Sequence, residues 1–217
     1  MSNTDKTQQM LIITQKIKEL IIAENIEAIN KLNNELNLLY KPIDANNLTI
    51  LHFAVQMSRM NVVAFTADLM CKSKGLEVKD LFGRTPLHQA AAKGNVNIIQ
   101  ILIDNHADVN AVTISGETPL MKAIAFYQIK AIYLLLRNGG DPYMKNNVTG
   151  MNCFEQAKET RNDEIIILLE KYKDIYKKVN LIKNMNSGDA NKEANHNYFK
   201  KFNQQILGKI FQFLIPW

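Results

Sequence analysis

Cysteine is nearly absent, with only Cys71 and Cys153 in 217 residues. Two distant cysteines build neither a disulfide framework nor a Cys-rich metal site, so a reducing, cytoplasmic setting is expected. Cys153 has no base beside it in sequence and reads as a packed thiol rather than a nucleophile. Glycine is also scarce, at nine residues, and none falls into a phosphate-cradling loop. The chain contains no GxGxxG, P-loop, GxSxG or HExxH pattern. No catalytic, cofactor or metal residues are therefore expected, and the chain does not read as an enzyme. Long apolar runs are missing too: no stretch approaches the roughly 20 residues that a membrane span needs. The first 20 residues carry Asp5 and Glu19, no Arg and no uninterrupted apolar core, unlike a secretory or transit peptide. The net charge of +5 comes from lysines interleaved with acids, the pattern of a solvated face, so nucleic acid is not the expected partner. No alternating run is long enough for a sheet, which leaves an all-α chain.

What is present is best seen in residues 80–110, DLFGRTPLHQAAAKGNVNIIQILIDNHADVN. Thr85 suits a helix N-cap and Pro86 the first helical position, where a missing N–H costs nothing. Ala90, Ala91 and Ala92 keep that helix thin, and Gly94 suits a left-handed stop. Ile98, Ile99, Ile101, Leu102 and Ile103 then recur with helical spacing and predict a second helix. Neither helix buries its apolar stripe alone, so the unit requires copies on both sides.

The copies are there. Thr49, Leu51, His52 and Ala54 precede Thr85, Leu87, His88 and Ala90 by 36 positions, and Gly116, Thr118, Pro119, Leu120 and Ala123 follow their counterparts by 33. Gly150, Asn152, Phe154 and Ala157 form a later, weaker copy, and residues 25–36 repeat the pattern of the second helix after a first helix over residues 4–22. The excess length of the second unit is placed in CKSKGL, residues 71–76. This order of tip, TPLH, short helix, glycine and second helix resembles the ankyrin repeat, over residues 25–172. The resemblance implies an ankyrin-type solenoid of about five helix-turn-helix repeats. In chain order, residues 1–22 form an N-terminal helix and cap, 23–172 the array, 173–197 a helix extension and flexible linker, and 198–217 a separate C-terminal amphipathic helix.

Three departures bear on how regularly the units stack. The TPLH histidine becomes Met121 and Glu155, the inter-helix glycine becomes Ser58, Tyr127 and Arg161, and the proline becomes Ile50 and Cys153. The resemblance also implies that His52 and His88 hydrogen-bond neighbouring turns and that Asn110 occupies a position hydroxylated in some members.

The same resemblance points to a protein partner, bound through the hairpin tips and the exposed face of the first helices. At the tips it singles out Leu81, Phe82, Arg84, Ile114 and Glu117, with Ser115, Val148 and Thr149 at matching positions. On the helices it singles out Phe53, Met57, Gln89, Lys93, Lys122 and Phe126, followed by Gln156 and Thr160. In residues 198–217, Phe202, Ile206, Ile210 and Phe213 fall on one helical stripe, with Lys200, Lys201 and Lys209 and no acid. That helix has three destinations: a groove on a partner, the array itself, or, less favoured, an anionic membrane. An adaptor module is the expected function. The alternative is a structural subunit of a large multiprotein assembly, a cytoskeletal one for example, anchored by both array and C-terminal helix.

Overall fold

From the second repeat onward, each first helix begins at an N-cap residue, Thr49, Thr85, Thr118 or Asn152. In α5 (Pro86–Lys93), the imidazole Nδ1 of His88 accepts from the Thr85 N–H at 3.1 Å and from its hydroxyl at 2.9 Å. His52 does the same for Thr49 in α3 (Ile50–Gln56), at 3.4 and 3.0 Å. In α9 (Cys153–Thr160), Asn152 Oδ1 accepts from the N–H groups of Phe154 and Glu155, and Glu155 Oε2 accepts from the Asn152 N–H at 2.8 Å. This is a reciprocal capping box, so glutamate does there what histidine does in TPLH. In α7 (Pro119–Ala125), Thr118 Oγ1 accepts from the Met121 N–H, and the thioether has nothing to return.

A computed structural model describes residues 3–71 and 75–186. Its remaining helices are α1 (Asn3–Ile22), α2 (Ile26–Leu36), α4 (Met60–Cys71), α6 (Val96–Asp104), α8 (Ile129–Arg137) and α10 (Asp163–Asn186), with one 3-10 turn at Gly75–Glu77. The described residues contain no strand. The ten helices of the described residues form five antiparallel pairs stacked side by side, the all-α solenoid expected from the sequence. Helix α10 runs on to Asn186, within the span expected to hold a helix extension and a linker. Part of the expected insertion (72–74), the rest of that span (187–197) and the C-terminal helix with Phe202, Ile206, Ile210 and Phe213 lie outside the described residues.

Stacking follows from side-chain size. Ala54, Ala90, Ala91, Ala123 and Ala157 are buried where the first helices approach one another, α3 against α5, α5 against α7 and α7 against α9. The second helices bury larger residues, Ile98, Ile99 and Leu102 from α6 and Ile132 and Leu135 from α8, each worth about 1.5–3 kcal/mol of transfer free energy. The first pair has no TPLH and joins the same core through Ile17, Ile21 and Ile29.

The missing glycines do not disturb this order. Ser58, Tyr127 and Arg161 take φ of +55°, +57° and +52°, beside +68° at Gly94. The turn between paired helices requires a left-handed residue, and stacking imposes it whatever the side chain, at a cost of roughly 1 kcal/mol for an L-residue. Tyr127 is exposed, so Tyr127→Gly is expected to raise stability by roughly 0.5–1 kcal/mol. A urea midpoint that falls instead would mean that the phenol contributes more than the backbone strain removes.

Candidate partner-binding face

The tips are built from main-chain contacts. The Leu81 N–H donates to Asn46 C=O at 3.1 Å, the Ile114 N–H to Phe82 C=O at 3.2 Å, and the Asn147 N–H to Ser115 C=O at 2.8 Å. One bond thus joins each tip from the second repeat onward to the next. Gly83 makes the close approach possible: its φ is +73°, and a Cβ there would sit 2.7 Å from Ile114 N.

Asp80 shapes the third tip. Its Oδ1 accepts from the N–H groups of Phe82 and Arg84, both at 2.9 Å, and its Oδ2 from Arg84 Nε at 2.7 Å. Burial alone would raise the Asp80 pKa, but these donors and the guanidinium charge together hold it below its usual value. The same guanidinium lies 4.9 Å from the Phe82 ring centroid. Arg84 is therefore already engaged, and it steadies Phe82 for whatever meets that ring.

Outward from the ladder stand Leu81, Phe82, Ile114 and Val148, exposed at 56, 60, 74 and 77%. On the first helices Met57, Phe126 and Lys93 are exposed, and Gln89, Lys122 and Gln156 are half-buried. Lys122 Nζ pairs with Glu117 Oε2 at 2.6 Å, and Gln156 donates to Met121 C=O at 3.3 Å. Phe53 does not belong to this surface. It is only 9% exposed, because α1 packs over α3 and places Lys18 Nζ 5.5 Å from the ring centroid.

Between the second and third tips lies an open recess of about 290 Å³, lined by Asn46, Leu48, Gln56, Phe82, Arg84, Gln89, Ala92 and Lys93. Sequence reasoning singled out Phe82, Arg84, Gln89 and Lys93 but missed Asn46, Leu48, Gln56 and Ala92. The signal was present in the register, since Asn46 and Gln56 precede Phe82 and Ala92 by the same 36 positions that separate Thr49 from Thr85. Gln89 Oε1 is buried on this wall, and no described protein donor reaches it.

The histidines lie behind this face. Because Nδ1 accepts from a backbone N–H, the proton must sit on Nε2. That nitrogen donates to the next repeat, His52 to Arg84 C=O at 3.0 Å and His88 to Glu117 C=O at 2.9 Å. Asn110 spans repeats similarly, donating to Gly139 C=O at 3.0 Å and accepting from the Asp141 N–H at 2.8 Å. Cys153 is fully buried, and burial, with the Asp141 charge adding to it, pushes its thiol pKa far above the usual range. A thiol so held is a poor nucleophile. No group of residues with metal-holding geometry occurs among the described residues, and no described helix is long and apolar enough to cross a membrane.

The comparisons agree with the geometry. A family model described as ankyrin repeats in three copies matches residues 14–113 and, in an overlapping match, 65–146. Neurogenic locus notch homolog protein 1 of Homo sapiens is 29% identical over 143 residues, covering 50% of this chain and 6% of that protein. Ankyrin repeat and SOCS box protein 3 of Bos taurus is 38% identical over 120 residues, covering 55% of this chain and 22% of that protein. BCL-6 corepressor-like protein 1 of Homo sapiens is 32% identical over 94 residues, 43% of this chain and 5% of that protein. The chain thus spans less than a quarter of the length of these curated relatives.

Proposed function

We propose a function from one premise: the chain belongs to the ankyrin repeat family, whose repeats are generally protein–protein interaction modules. Its own role is that of an adaptor, whose array recognises a protein partner through the tips and the exposed face of the first helices. The observation that carries this is the row Leu81, Phe82, Ile114 and Val148. These are large apolar side chains exposed at tips that the main chain holds in fixed order. Water is a costly environment for such a row, and exposed apolar clusters on a rigid scaffold mark interaction sites. Rigidity matters as well, since little ordering entropy is lost on binding. A cytoplasmic setting accords with Cys71 and Cys153 both being free thiols. We assign the chain no catalytic role.

The test is affinity purification with the full chain as bait. Phe82→Ala combined with Ile114→Ala should reduce partner recovery by at least about tenfold, since each is a candidate apolar anchor. The melting temperature should hardly move, because both side chains lie outside the stacked core. Unchanged recovery would place the interface elsewhere.

A further inference from the structure

We propose that the recess between the second and third repeats seats an acidic, extended segment of the partner protein. One apolar side chain of that segment lies against Phe82, and a neighbouring carboxylate pairs with Lys93. This rests on the adaptor reading and adds to it the chemistry of what is recognised.

Size argues first. At about 290 Å³ and open to one side, the recess lies at the lower end of what a drug-sized ligand occupies, too small a volume to take in a helix roughly 10 Å across. An extended chain fits by placing one side chain in the recess, whose lining includes Phe82 and the small Ala92. Hydrogen bonding argues second. Gln89 Oε1 is buried beside the recess with no described protein donor, so turning the amide towards an occupant that supplies one relieves a desolvated acceptor. An extended segment has main-chain N–H groups to offer, whereas the interior of a helix has spent its own.

Charge decides the sign. No carboxylate lines the recess. Arg84 is neutralised by Asp80 at 2.7 Å, while Lys93 is exposed and forms no ion pair among the described residues. The uncompensated charge of the wall is therefore positive, which favours an acidic visitor and repels a basic one. This ranks the acidic segment above residues 198–217 of the same chain, whose charged side chains are Lys200, Lys201 and Lys209 alone.

The experiment uses the full-length protein and two probes, a phage-displayed library of random dodecapeptides and a synthetic peptide with the sequence of residues 198–217. Selected peptides are expected to carry Asp or Glu within a few positions of an aromatic or large aliphatic residue. By fluorescence anisotropy, Lys93→Glu should weaken the best of them about tenfold or more and flatten its salt dependence. Gln89→Leu should weaken it by a similar factor. Lys93 is exposed, so its variant folds and keeps the test decisive even if Gln89→Leu does not. The proposal is overturned if no peptide is enriched, if enriched peptides lack acids, if Lys93→Glu leaves their affinity unchanged, or if the 198–217 peptide binds more tightly than they do. Peptides that lose affinity with Phe126→Ala but not with Lys93→Glu would overturn the recess and leave the adaptor reading standing. The adaptor reading itself is tested by the tip substitutions.

Discussion

Replacing Leu135 by alanine is expected to destabilise the protein by about 2–5 kcal/mol, the usual cost of emptying a leucine-sized space in a packed core. Leu135 is fully buried on α8, the helix that sits against α6 on one side and α10 on the other. Its loss therefore weakens the joints on both sides of the fourth repeat, and neighbouring repeats have no second core to fall back on. A domain of this kind has about 5–15 kcal/mol in total. Urea unfolding followed by far-UV circular dichroism is the measurement, with Lys93→Ala as the surface comparison, expected within about 0.5 kcal/mol of the parent. If both variants shifted the midpoint equally, the inner and outer faces of the array would be misassigned.

Acid is expected to weaken the fold well before the carboxylates titrate. Burial is the main reason that the His88 pKa falls to about 4 from its ordinary value of 6.5. The bond to Glu117 partly offsets this, and the Lys122 and Lys79 charges add to it. His52 shifts in the same direction, again chiefly through burial. For a histidine with a depressed folded pKa, the unfolded chain binds the extra proton. The stability is thus present in full above the unfolded value of about 6.5 and is lost as pH falls towards 4. For His88 the full loss is on the order of 3 kcal/mol. Asp80, held below its usual value, acts at lower pH, while Glu77, raised chiefly by burial, acts in the opposite sense at the acid end of the window. Urea midpoints at pH 7.5, 6 and 5 should fall steadily. His88→Met, which copies the residue of the next repeat, should lower stability at pH 7.5 and flatten the profile. A variant with the parental slope would show that His88 is not the group responsible.

These two predictions draw on parts of the chain that differed in legibility. The N-cap could be read directly, because Thr85 stands immediately before Pro86 at the helix start, whereas the return bond to His88 Nδ1 was not foreseen. Local chemistry of that kind survives in any context. The left-handed residues between helices could not be read, because nothing intrinsic to Tyr127 or Arg161 favours positive φ. Stacking against neighbours imposes it there, and the departures that suggested irregular repeats left the order of helix pairs unchanged. Phe53 was misjudged for a related reason. It shares a register with Gln89 and Lys122, but α1, from a repeat without TPLH, lies across it and buries it. The recess was half visible: Phe82 and Lys93 were singled out by their positions in the repeat, while the small lining residue Ala92 drew attention only once its neighbours were in place.

The tips are joined main chain to main chain, by Leu81 to Asn46, Ile114 to Phe82 and Asn147 to Ser115, so no side chain at positions 81, 82, 114 or 148 supplies a link in that ladder. Exchanging those side chains costs the stack little, whereas changing Gly83 or Leu135 costs it a great deal. Recognition and folding are thus written in separate alphabets along one chain. A lineage or an engineer can rewrite the first, one position at a time, without renegotiating the second.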